Sequence, residues 1–169
     1  MPVQTSYAAN FTAGFSGQLY GTDGHDCIAM RNDEASAAIP FGRAVKFASA
    51  TDGTAAVFPT AETDVIAGIT VHSHRYSSDD LNSTGMLPEV IMNVLRRGLI
   101  LVTVEDAVVP GDRLWVRAVA GGDPEFLGGL LPADDSTDTV DCTGQGVFLT
   151  PAAAGGLAVL SVDFTNKPT

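Results

Sequence analysis

The sequence is divided into short runs of alternating or β-branched residues, and turn-forming Gly, Pro, Asp and Asn separate these runs. In residues 43–47, apolar side chains alternate with Arg and Lys, which predicts a half-buried strand. Thr51-Asp52-Gly53 then turns the chain back into residues 54–58, so the two runs predict a hairpin. The other predicted strands cover residues 27–31, 65–74, 90–95, 99–105, 114–117, 145–150 and 157–164.

The spacing of these runs restricts the fold class. Residues 45–116 contain no long helical period, apart from one possible turn within residues 87–95. Gly68 interrupts its run and predicts a β-bulge. Near the carboxyl end, alternation places on one face Ala158, Leu160, Val162 and Phe164. Many short strands with regular turns predict a single-domain all-β fold, either a jelly-roll-like sandwich or a small β-barrel with an extended N-terminal arm.

The first 22 residues carry no charged side chain. Tyr7, Phe11, Phe15 and Leu19 recur every four residues, which would align them on a helix, but three glycines weaken any helix there. An uncharged aromatic segment in water would leave apolar surface exposed, so we expect it to pack on its own domain or on a neighbour's. We therefore predict an arm (residues 1–22), a sandwich or barrel domain (residues 23–169) and a protein interface that contains these four side chains.

The chain is strongly acidic, with 9 Lys and Arg against 20 Asp and Glu and a formal net charge of −11. Cations that neutralise phosphates supply most of the energy of non-specific nucleic-acid binding, so we predict no nucleic-acid partner. An anionic membrane surface would repel the chain as well. Arg96-Arg97 is the only basic run, and we predict that both residues bind a carboxylate-rich partner. Internal pairing with nearby acids is the alternative.

Patterns for catalysis or cofactor binding are weak. His72 and His74 share a face of a predicted strand, and Asp23, His25 and Asp26 could complete a metal site. A polar strand end beside an exposed loop explains the same pattern. Neither Gly-x-Ser-x-Gly nor Gly-x-x-x-x-Gly-Lys occurs. We therefore expect no catalytic residue, no metal and no cofactor, and hence a protein that is not an enzyme.

Three alternatives stay open on the sequence alone. A carbohydrate- or receptor-binding β-sandwich module of a virion or secreted protein would expose aromatic side chains on one sheet face. A metal-dependent β-barrel enzyme would use His25, His72 and His74. Cys27 and Cys142 match no CxxC spacing, so we expect two buried free thiols, with a long-range disulfide as the alternative.

Four segments carry a resemblance to a known family. They are Phe15-Ser16-Gly17-Gln18-Leu19 with the Gly-His-Asp turn that follows, Ala38-Ile39-Pro40-Phe41-Gly42-Arg43-Ala44-Val45, Ile66-Ala67-Gly68-Ile69-Thr70-Val71, and Arg96-Arg97-Gly98 running on through Pro110-Gly111-Asp112-Arg113-Leu114-Trp115-Val116-Arg117. In this order they resemble the structural cement (decoration) proteins of tailed-phage capsids.

The resemblance implies a β-barrel or jelly-roll-like subunit and no catalytic residues. It implies a protein that binds the outer surface of the expanded head and stabilises contacts between major capsid protein subunits. The implied partners are the major capsid protein and further copies of the chain, as a homodimer or homotrimer. The implied location is the virion, after synthesis in the host bacterial cytoplasm.

Overall fold

The computed structural model describes residues 14–21, 24–72, 85–121 and 125–165. Within them the only helical element is a 3₁₀ turn at Ser136–Asp138, so the predicted all-β class is confirmed. The ten strands are β1 (Asp26–Asn32), β2 (Ala44–Ser49), β3 (Asp52–Val57), β4 (Ile66–Val71), β5 (Ile91–Thr103), β6 (Trp115–Arg117), β7 (Leu130–Leu131), β8 (Thr139–Asp141), β9 (Gly146–Phe148) and β10 (Leu157–Asp163).

Five of these strands close into a small barrel. β1 pairs with β3, β3 with β2, β2 with β4 and β4 with β5, and β5 returns to β1. Only the β1–β3 pair in this ring is parallel. A cluster of buried apolar side chains fills the barrel, among them Met30, Ile39, Val45, Met92 and Val94. Of the two predicted architectures the structure has the barrel, and β2 and β3 form the predicted hairpin.

The predicted bulge at Gly68 is confirmed. Val45 lies opposite Gly68 and Lys46 opposite Ile66, so β4 has one extra residue between them. A Cβ atom on Gly68 would lie 2.3 Å from the carbonyl oxygen of Leu95. This position therefore requires glycine, because the bulge brings β4 against the backbone of β5.

β5 joins the barrel to the rest of the molecule. We predicted separate strands at residues 90–95 and 99–105, which is wrong, because Ile91–Thr103 is one strand of 13 residues. The possible turn within residues 87–95 is present at the start of that range, where the Val90 N–H donates to the Leu87 carbonyl at 3.3 Å. Gly98 has φ 137° at the junction, where a Cβ would lie 2.6 Å from the ring of His25. The half before Gly98 pairs with β1 and β4, and the half after it pairs with β10.

A second sheet covers this second half. β7, β6 and β8 lie side by side in that order, while β9 pairs with β10 on the large sheet. The core between them includes Ile100, Leu114, Val116, Leu130 and Phe148. Ala158, Leu160, Val162 and Phe164, which the alternation predicted to share one face, all belong to this core. β7 and β8 lie in the acidic, turn-rich segment between β6 and β9.

Residues 14–21 lie against the domain of their own chain. Leu101 accepts a hydrogen bond from the Gly17 N–H (2.8 Å) and donates one to the Gln18 carbonyl (2.8 Å). Leu19 forms a bridge with Ile100 and packs, partly buried, against the second core. This part of the predicted arm therefore adds an extended segment beside the second half of β5. Residues 1–13 lie outside the described residues.

Candidate partner-binding surface

The second half of β5 borders an open groove of about 470 Å³ that contains two arginines. Arg97 and Arg113 line it together with Asp163 and the glycine-rich segment 144–146. We call it the two-arginine groove. A Cβ on Gly144 would meet no atom within 4 Å, so the groove is open at this position.

Local structure places each arginine. Arg97 directly precedes the Gly98 junction and lies opposite Asp163 of β10. Arg113 follows the Pro110-Gly111-Asp112 turn and forms a bridge with Val147 of β9. In that turn Asp112 Oδ2 accepts a hydrogen bond from the Val109 N–H at 2.8 Å. The two arginines are 16 positions apart in the chain, and pairing of β10 and β9 with their neighbours brings them to one groove.

The arginines of the groove are weakly paired within the molecule. Arg97 Nε lies 3.7 Å from Asp163 Oδ2, and 67% of the Arg97 side chain is exposed. Such exposed pairs contribute little to stability, since solvent screens them. Hydrogen bonds from Thr165 lower the pKa of Asp163 most, and the positive charges of Arg97 and Arg96 lower it further. Internal pairing, the alternative stated for Arg96 and Arg97, is therefore present for Arg97 but loose.

The remaining described cations divide into two groups. Arg96 and Arg113 have no acidic group within 4.0 Å in the described part of the chain. By contrast, the cations with ion pairs elsewhere are Arg31, Arg43, Lys46 and Arg117. Among the described residues of this acidic chain, the loosely held positive charge is thus concentrated at and beside the two-arginine groove.

The predicted interface residues fall in different places. Leu19 packs beside Ile100, three residues after Arg97 in β5. Phe15 is 40% exposed and contacts His72, with ring centroids 4.3 Å apart. Arg96 is half-buried, and its carbonyl accepts the Phe164 N–H at 2.7 Å. The two other predicted residues, Tyr7 and Phe11, lie outside the described residues.

A buried charge cluster was missed by the sequence analysis. The side chains of Arg117 and Glu105 are only 3% and 5% exposed, and Arg117 Nε donates to Glu105 Oε2 at 3.0 Å. Arg117 Nη1 also donates to Asp135 Oδ2 at 2.5 Å, and Glu105 Oε1 accepts the Phe126 N–H at 2.9 Å. Arg43 approaches Glu105 to 3.9 Å.

The pKa of Arg43 and the pKa of Arg117 are shifted in opposite directions within this cluster. Burial lowers the pKa of Arg43, and the attraction of Glu105 only partly offsets this. Burial also acts to lower the pKa of Arg117, but hydrogen bonds to Asp135 and Glu105 outweigh it and raise that pKa. The cluster ties the segment around Phe126 and Asp135 to β5 and β6. The sequence carries one weak signal of this cluster: Glu105 directly follows an apolar run, and Arg117 ends another. Solvent-exposed charges are also common at such positions, so the signal does not identify a buried pair.

The structure brings together no metal site in its described part. No group of three or more His, Cys, Asp or Glu is suited to hold an ion there. His72 packs against the Phe15 and Phe41 rings, and the His25 ring lies 3.2 Å from the Tyr20 carbonyl. His74 and Asp23 lie outside the described residues. No helix of the described chain has the length and apolar character of a membrane span.

The two cysteines are free thiols in different environments, so the disulfide alternative is absent. Cys142 is buried as predicted, and burial followed by the charge of Asp141 raises its pKa to about 12. Cys27 is exposed, so the prediction of burial is wrong for it. It points outward because the alternate residues of β1, such as Met30, fill the barrel.

Comparisons with known proteins identify a family for this chain and a solved structure with a similar fold. Residues 3–163 match the family described as structural cement protein (E217 gp24/Pam3 gp6). A chain of the solved structure "The capsid of Myoviridae Phage XM1" has a similar fold, with a TM-score of 0.68 and 18% identity. The alignment covers 96% of this chain and 98% of that one. No curated protein matches the sequence.

Proposed function

Because this chain belongs to the phage structural cement protein family, we propose that it binds the outer surface of the expanded head and bridges major capsid protein subunits. The structural observation that supports this most is the two-arginine groove. It places loosely paired guanidinium groups on a molecule with a net charge of −11. Guanidinium groups bind carboxylates in bidentate geometry, so the groove fits an acidic segment of a capsid subunit.

The uncharged arm is the second proposed contact. Tyr7, Phe11, Phe15 and Leu19 are its apolar side chains, and Leu19 already packs beside β5. Burial of apolar surface contributes about 25 cal/mol per Å², so a short arm laid on a neighbouring subunit adds useful affinity. The arm and the groove adjoin the same half of β5, which would allow one capsid site to contact both.

The proposed role involves no chemical step. The protein would act by holding neighbouring capsid subunits together, as a non-enzymatic component of the virion made in the host cytoplasm. It would associate with further copies of itself as a homodimer or homotrimer. Cement action then depends on contact area and charge complementarity, not on a poised nucleophile or metal.

Neutralising the groove is expected to weaken binding to expanded heads at least about tenfold, since charge-assisted hydrogen bonds contribute about 1.5–3 kcal/mol each. The variant is Arg97→Gln/Arg113→Gln, titrated against purified heads. The control is Ala35→Glu/Ser36→Glu, which produces the same net charge at two exposed positions after β1. Equal losses of affinity in both variants would indicate general repulsion by the more negative net charge. Unchanged affinity in the groove variant would refute the role of the groove.

A further inference from the structure

The barrel is incompletely closed along one side of β1. β5 pairs with β1 from Asp26 to Arg31, whereas β3 pairs with it only at Arg31 and Asn32. On the side that faces β3, the backbone from Asp26 to Met30 therefore has no neighbouring strand in the described part of the chain. We call this stretch the open edge of β1.

The hydrogen bonds at the end of β1 show which groups the open edge presents. The Asn32 N–H donates to Val90 (2.9 Å) and its carbonyl accepts from Glu89 (2.8 Å), both on the β5 side. The Asp33 N–H donates instead to Ala56 of β3 at 2.9 Å. Since strand residues alternate in direction, the N–H and C=O groups of Cys27 and Ala29 point to the open side.

This edge lacks the usual protection against strand addition. Exposed edges are commonly blocked by lysine, proline or a covering loop, whereas Cys27 and Ala29 are small, exposed and uncharged. In the facing part of β3 the Thr54 N–H is already bonded within its own strand, because Asp52 Oδ1 accepts it at 2.8 Å. β1 thus presents unpaired backbone groups that β3 does not complement.

We propose that the open edge of β1 pairs antiparallel with the same edge of a second copy of this chain. Such a contact is isologous: about a twofold axis at Ile28, Cys27 of each copy lies opposite Ala29 of the other, and each pair exchanges two backbone hydrogen bonds. This inference specifies the self-association included in the proposed function and rests on it.

Charge favours a second copy as the occupant. Two molecules of net charge −11 repel each other, and this repulsion opposes a contact least where the contact itself is nearly neutral. The open edge contributes a single carboxylate, Asp26, which the twofold arrangement places opposite Met30. Four backbone hydrogen bonds make a weak dimer in solution, and the high local concentration of subunits on a capsid would strengthen it.

Cys27 provides a direct test in the intact protein, without capsids. A short bismaleimide should link two copies through Cys27 in a concentration-dependent manner at mildly alkaline pH. Cys142 is buried and its pKa is raised to about 12, so it should not react. Cys27→Ser should abolish the covalent dimer, whereas Cys142→Ser should leave it unchanged.

Substitutions at two exposed positions distinguish pairing along the edge of β1 from docking through the outer face of the sheet. Sedimentation velocity on the protein without crosslinker should show dimers whose apparent Kd rises at least about tenfold in Ala29→Lys, since a lysine blocks strand addition. Ile91→Lys, on the adjacent outer face of β5, should have no such effect. Thermal melts establish that both variants are folded.

A strictly monomeric protein at about 1 mM, or dimers insensitive to Ala29→Lys, would overturn the proposal. So would loss of dimers in Ile91→Lys, which would indicate face-to-face docking. Loss of dimers when residues 1–13 are removed would instead show that the open edge of β1 binds the arm of a neighbouring copy. Capsid binding by a strictly monomeric protein would refute only this inference, and dimers that bind no capsid would refute only the proposed function.

Discussion

Replacing Arg117 with methionine is expected to lower the free energy of unfolding by about 3–5 kcal/mol, the usual cost of removing one partner of a buried ion pair. The substitution leaves the Glu105 carboxylate almost fully buried, and its remaining partners among the described residues are the distant Arg43 at 3.9 Å and the Phe126 N–H. Urea denaturation followed by circular dichroism measures the loss. Arg117→Met should lower the midpoint without abolishing the cooperative transition.

The second partner provides the matched control. Adding Glu105→Gln to Arg117→Met removes the buried charge that has lost its partner. The double variant should therefore be more stable than Arg117→Met alone. Asp135→Asn should cost no more than about 1 kcal/mol, because the Asp135 side chain is 50% exposed. A loss below about 1 kcal/mol in Arg117→Met would contradict a structural role for the cluster.

Removing the two aromatic side chains at the start of the arm is expected to weaken binding to heads about 30-fold or more, since a buried aromatic anchor contributes about 2 kcal/mol at an interface. The variant is Tyr7→Ala/Phe11→Ala in the full-length chain, and isothermal titration with expanded heads measures its affinity. Val3→Ala/Thr12→Ala changes the same segment without touching an aromatic residue and should bind normally. Normal binding by the aromatic variant would exclude the arm from the interface.

Truncations separate the arm from the fold. Deleting residues 1–19 removes the Gly17 and Gln18 hydrogen bonds to Leu101 and the packing of Leu19, and should destabilise the domain more than deleting residues 1–13. The shorter deletion is therefore the suitable one for binding assays. Equal stability of the two truncated proteins would show that residues 14–19 contribute nothing to the fold.

The parts of the fold that depend on local pattern were predictable. Alternation in the last strand placed Ala158, Leu160 and Val162 on one face, which the structure shows to be the core face, and Gly68 marked its bulge. The continuity of β5 was not predictable, because Arg96-Arg97-Gly98 has the composition of a turn. Only the surrounding strands, which pair with β5 on both sides of Gly98, keep this stretch extended.

The candidate surface was only partly predictable for a related reason. Arg96 and Arg97 stand out as a basic run, but Arg113 reaches the same groove only through its bridge with Val147. Likewise, the pairing of Glu105 with Arg117 and the open edge of β1 depend on strand order. One sequence carries little information about which distant strands become neighbours.

Cosedimentation of the purified protein with heads of its phage, before and after expansion, tests the central claim most directly. A cement role predicts saturable binding to expanded heads and none to unexpanded heads, with bound copies in a fixed ratio to the major capsid protein. Absence of binding to either form would contradict that role.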